Sequence, residues 1–179
     1  MRSIPKNIAE LDCWKQFVCR LQEREDKCRE EGVQFNLLFR LAPMKKTKGQ
    51  LIQATLSVLD WILQASCPLV YKVGLTSIPI ERWASQTYAY MLDKYEPWDT
   101  MTLLFVAELS SEAAWMEAVL ISHHLDKVGC RNTNPGGEGQ HEDIVNDPHT
   151  VGLHFVYLVS YSAANPPWVP GSRARKKRR

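Results

Sequence analysis

The ten residues from Thr100 to Leu109 constrain this chain more than any others. Met101, Leu103, Leu104, Phe105, Val106 and Ala107 form an apolar run in which polar positions do not alternate. A strand of this kind is covered on both faces, so the run predicts a central strand with helices above and below it. Candidate helices flank it. Ser77 to Ala84 opens one upstream. Downstream, Ser110 and Ser111 can cap a helix running to about Lys127, and Gly129 can stop it.

Two further segments read as strands. Leu69 to Thr76 holds the strand formers Val70, Tyr71 and Val73, with Gly74 near its end, and Gly152 to Ser162 is the last candidate. A helix over about 49–65 precedes them. Thr47 and Gln50 have capping-box spacing there, and Leu51, Thr55, Val58, Leu59, Ile62 and Leu63 make the buried stripe. Residues 7–31 carry Ile8, Leu11, Trp14, Phe17, Val18 and Leu21 at helical spacing, and a short apolar stretch follows from Phe35 to Leu41. The order predicts an α/β (α+β) fold: a small three-stranded sheet flanked by helices, with an N-terminal helical extension. The divisions expected are an extension over 1–66, the α/β domain over 67–162, and a Pro-rich, basic tail over 163–179.

Charge narrows the choice of partners. The net charge is +2, but Arg173, Arg175, Lys176, Lys177, Arg178 and Arg179 all lie in the tail. Of 22 basic residues those six leave 16 against 20 acidic, so the body is mildly acidic at −4. Strong nonspecific nucleic-acid binding by the body is not supported, although a local basic cleft is compatible with that balance. The tail reads equally as a nuclear localisation signal, a phosphate-binding arm or a solvated terminus. Five cysteines, Cys13, Cys19, Cys28, Cys67 and Cys130, include no CxxC pair. With no secretory leader or membrane-spanning run in view, the expectation is an intracellular protein in a reducing compartment, cytosolic or nuclear, with no membrane partner.

One residue breaks the apolar logic. On a helix over 112–127, Ala114, Ala118, Ile121 and Leu125 line a stripe that Ala113 and Leu120 widen. Glu112, Ser122, His123 and Asp126 form the polar arc, and Glu117 falls on the side opposite to it. A carboxylate there needs a cation, a metal or a wet cleft. It is either half of a structural ion pair or a metal ligand facing a catalytic site. Arg82, eight residues beyond Gly74, could clamp a phosphate oxygen through its planar fork.

Taken together, Lys72-Val73-Gly74-Leu75-Thr76, Arg82, the run from Glu117 to Ile121 and an asparagine after that helix resemble a GIY-YIG nuclease domain over about residues 68–139. That family has a tyrosine-bearing hairpin, a YIG strand followed by a small residue and threonine, an arginine on the first helix, a metal-binding glutamate on the central helix, and a late asparagine. The resemblance implies a Mg²⁺-dependent DNA endonuclease with no small-molecule cofactor. Arg82 would hold phosphate, Glu117 would hold metal, and Asn132 is favoured over Asn134 as the late asparagine. Lys72 stands at the YIG tyrosine, as in some phage-type members, and no GIY strand precedes it. The family's proposed general base, a first-strand tyrosine, therefore has no direct match. Lys72 once desolvated, Tyr71, or Tyr88 or Tyr90 folding back are the candidates for that role.

Other readings stay open. The same fold could serve as a noncatalytic nucleic-acid- or protein-binding module. Glu117 could also simply pair with Arg82. Trp83, Tyr88, Tyr90, Tyr95 and Trp98 crowd one region, either packing the core or stacking on unpaired bases. The five histidines lack paired spacing, so no zinc site is expected, and no Gly-x-Ser-x-Gly or Walker pattern occurs. The Gly136-Gly137-Glu138-Gly139 run is a flexible turn or a backbone cradle for phosphate.

Overall fold

A computed structural model of the chain describes residues 47–84, 90–93, 98–107, 109–135 and 153–162, a short strand at 37–39, and four isolated helical positions between 16 and 23. The expected helix over 7–31 (those four positions apart), Tyr88, Tyr95, the glycine run at 136–139 and the tail lie outside the described residues.

In chain order the elements are β1 (Leu37–Phe39), α1 (Lys48–Ser66), β2 (Val70–Thr76), α2 (Pro79–Ala84), a 3-10 turn at Tyr90–Leu92, β3 (Thr100–Ala107), α3 (Ser110–His124) and β4 (His154–Tyr161). The three expected strands form an antiparallel sheet: β4 runs between β2 and β3 and is antiparallel to both. β1 adds a fourth strand, parallel to β3, in a stretch read from the sequence only as apolar. The spatial order is therefore β1-β3-β4-β2, and β2 is an edge strand.

Local chemistry explains most boundaries. Thr47 and Gln50 close the capping box on α1, each side chain meeting the other's backbone. Cys67, at φ 41°, turns the chain left-handed out of α1 just before Pro68. Thr76 Oγ1 accepts from Ile78 N at 3.1 Å, and Pro79 occupies the first turn of α2, where its missing donor is harmless. The caps expected of Ser110 and Ser111 are absent. Leu109 is the N-cap, in an extended conformation, and its carbonyl accepts from Glu112 and Ala113 at 3.1 and 3.3 Å. Both serines already lie inside the helix, which begins at Ser110. At the other end α3 stops at His124, earlier than Lys127, and Gly129 (φ 86°) redirects the chain.

That redirection puts the next residues alongside β2. Tyr71 N donates to Gly129 O at 2.9 Å, and Arg131 N donates to Tyr71 O at 2.8 Å, making a parallel bridge between Tyr71 and Cys130. A Cβ on Gly129 would fall 2.8 Å from Leu69 O, so the approach requires glycine. One step on, the Asn132 side chain takes over. Its Oδ1 accepts from Val73 N at 2.9 Å and its Nδ2 donates to Val73 O at 2.8 Å.

The sheet separates two apolar layers. Ile80, Trp83, Tyr90, Trp98, Met101, Leu103, Phe155, Tyr157 and Val159 fill the face under α2. Leu59, Tyr71, Val73, Leu104, Phe105, Ala113, Met116, Leu120, Ile121, Val156 and Leu158 fill the face under α1 and α3. A register shift between Leu103 and Phe105 interrupts the alternation of β3, so adjacent Leu104 and Phe105 both join the second layer. The aromatic crowd is core where it is described: Trp83, Tyr90 and Trp98 are all buried. No helix among the described residues is long and apolar enough to cross a membrane.

A polar clamp ties α1 to α3. His124 is fully buried, with Nδ1 3.0 Å from Leu120 O and Nε2 3.0 Å from Asp60 Oδ1, and Lys127 Nζ reaches the same oxygen at 3.1 Å. Burial lowers the His124 pKa, outweighing the opposing pull of Leu120 and Asp60. The Asp60 carboxyl is lowered as well: burial raises it, but its hydrogen bonds from Lys127 and His124 prevail. Each depressed folded-state value means that the unfolded chain binds the proton more readily. Stability should therefore fall as pH drops below about 6.5 through His124, and again below about 4 through Asp60. Thermal melts across that range check this. A Tm flat between pH 8 and pH 5 in the wild type would contradict it.

Candidate active site

Placement of the expected site residues follows from strand register. Antiparallel partners share a face, and β2 pairs Lys72 with Val159, Val73 with Leu158, and Gly74 with Tyr157. Val159 and Tyr157 belong to the α2 layer. Lys72 and Gly74 are thereby on the same side as Arg82, which α2 carries in its last turn. Tyr71 faces the other way. Its ring meets His124 edge-on at 6.2 Å under α3, and burial, with the Cys130 thiol adding, pushes its hydroxyl up to about 12. The structure does not bring Tyr71 to Arg82.

Glu117 is buried, 5% exposed, amid Ala113, Met116, Leu120, Ile121 and His124. This is the apolar face the sequence indicated, although its centre is shifted from Ala114 and Ala118, which are only half-buried. The polar arc of Glu112, Ser122, His123 and Asp126 is exposed as expected. The helices bearing Glu117 and Arg82 pack on opposite faces of the sheet. Asn132 is buried on the outer edge of β2, whereas Asn134 is exposed. No group of three or more His, Cys, Asp or Glu residues suited to a metal occurs among the described residues.

The Arg82 face holds a residue that the motifs missed. Tyr157, on β4, lies so close over Gly74 that any Cβ there would strike its hydroxyl and ring. Arg82 Nε donates to Tyr157 Oη at 3.5 Å, and Tyr157 Oη is 2.9 Å from Tyr90 Oη. The guanidinium carbon stands 5.1 Å from the centre of the Tyr90 ring. Burial opposes the Arg82 charge, but the Tyr157 and Tyr90 hydroxyls outweigh it and raise the pKa, so the guanidinium is always a cation. Burial likewise drives the Tyr157 hydroxyl well above the ordinary phenol value, with Tyr90 pushing the same way and Arg82 opposing. A signal for Tyr157 was present in Phe155-Val156-Tyr157, a tyrosine within an apolar strand. Its spatial order beside β2 was not.

Chemically this face offers a fixed cation, two phenols and a strand lysine within one layer. No protein family, curated protein or solved structure matches the chain.

Proposed function

We propose that this protein is a GIY-YIG-type DNA endonuclease whose tyrosine strand follows its glycine-bearing strand rather than preceding it. The pairing of Gly74 with Tyr157 carries the reading. The resemblance calls for a tyrosine-bearing strand hairpinned to the KVGLT strand. β4 lies antiparallel to β2 over seven residue pairs, and Tyr157 meets Arg82. Leu69 N donates to Tyr161 O at 2.8 Å, so the two strands are already joined where a hairpin turn would link them.

In this reading Arg82 holds a phosphate oxygen of the scissile diester. Lys72, on the same face, would assist the attacking water. The single carboxylate of Glu117 would suit Mg²⁺, which needs only one or two protein carboxylates, but its helix packs across the sheet from Arg82, so a metal held there would not meet a phosphate oxygen held by Arg82. Tyr71, packed against His124, is left with a structural part. So is Asn132, whose amide is spent on the backbone of Val73.

A second reading, a noncatalytic nucleic-acid- or protein-binding module on the same fold, is favoured by one observation. Arg82 and Glu117 are rooted on opposite faces, and Tyr157, only 2% exposed, has little access to water. Supercoiled plasmid and Mg²⁺ separate the two. Nicking by the wild type that falls at least about a hundredfold in Arg82→Ala and in Glu117→Ala, both still folded, supports the nuclease. DNA binding without nicking supports the module. Neither activity, with both variants strongly destabilised, would reduce the site to a structural cluster.

A further inference from the structure

Lys72 stands where the resemblance expects a second tyrosine, which leaves the Arg82 face one phenol short. A tyrosine from another element occupies that face. Tyr90, 9% exposed on the 3-10 turn, brings its hydroxyl to Tyr157 and its ring to the Arg82 guanidinium. Trp98 and Tyr157 brace that ring edge-on at 5.6 and 5.8 Å. An arginine can only donate, so Tyr157 Oη accepts from Arg82, and either hydroxyl of the tyrosine pair can donate to the other.

We infer that Tyr90 is a positioning residue for Arg82, fixing the guanidinium for a phosphodiester oxygen in place of the tyrosine that Lys72 has displaced. The inference rests on the phosphodiester reading of the site. Arginine has a long, freely rotating side chain, and one already held by a ring and a hydroxyl loses less freedom when an anion arrives.

The test measures affinity for a fluorescent DNA duplex without Mg²⁺, so that binding is read apart from cleavage. Tyr90→Phe keeps the ring over the guanidinium and removes only the hydroxyl. It should weaken binding about three- to tenfold, as expected for one hydrogen bond, with the melting curve still cooperative. Tyr90→Leu removes the ring as well and should approach the loss seen in Arg82→Ala. Should Tyr90→Phe not fold, Tyr157→Phe removes the other hydroxyl of the pair and should weaken binding likewise. Wild-type binding that Arg82→Ala abolishes and Tyr90→Phe leaves unchanged overturns the inference alone. A wild type that neither binds nor nicks DNA overturns the phosphodiester reading and this inference with it.

Discussion

Gly74→Ala is expected to destabilise the domain by about 1–3 kcal/mol through overpacking. For a domain near this size that is a fall in Tm on the order of 5–20 °C. The new methyl would meet the hydroxyl and Cζ of Tyr157 and lie 2.9 Å from its Cε2. The ring has little room to retreat. It is 2% exposed, sits among Tyr90, Arg82 and the α2 layer, and its strand is paired on both sides. Any shift that relieves the clash must also carry the hydroxyl away from Arg82. Gly49→Ala is the matched control. Nothing lies within 4 Å of its added Cβ, and within α1 the change should be neutral or mildly stabilising. Differential scanning calorimetry of both variants decides the matter. A Gly74→Ala protein that melts with the wild type would mean that Tyr157 does not lie over Gly74.

The second large effect concerns the last strand. A chain ending before residue 153 should not fold cooperatively. β4 pairs with β2 on one side and β3 on the other, and without it the two would face each other across an empty strand position. Phe155, Tyr157 and Val159 would leave one layer, and Val156 and Leu158 the other. Full burial of such side chains is worth roughly 1.5–3 kcal/mol each, so losing five removes about as much as the whole stability of a typical domain. Circular dichroism checks this: the truncated chain should show no melting transition, and one that melts with the wild type would mean that β4 is not needed to hold β2 and β3 in one sheet.

These two results bear on what could be read in advance. Period and composition located α1, β2, β3 and α3 closely, because each carries its own signal: a capping box, a strand ending in glycine, a continuous apolar run and a 3.6-residue stripe. Glu117 was legible for the same reason, since a single carboxylate breaks the stripe of Ala114, Ala118, Ile121 and Leu125 that Ala113 and Leu120 widen. The order of strands was not legible. Nothing local in Phe155-Val156-Tyr157 says that it lies beside a strand some eighty residues earlier, since the pairing is paid for by contacts formed only in the folded chain. Tyr157 was missed on that account. Tyr90 could be named only together with Tyr88, as a tyrosine on a segment that could fold back. β1, three residues long, is too short for a period to register. The absent caps at Ser110 and Ser111 show the reverse error, in which good capping residues were credited although both already lie inside the helix.

Asn132 bears on how the protein behaves in company. An open strand edge is a template on which another chain can add itself, and β2 is such an edge. By engaging both backbone groups of Val73, the asparagine amide acts as a strand residue that cannot propagate, since nothing beyond the side chain repeats the pattern. Together with the bridge at Tyr71 it blunts the edge over the stretch where β2 is richest in strand formers. Asn132→Leu would bare those groups, so the change should surface less as a lost site than as concentration-dependent self-association.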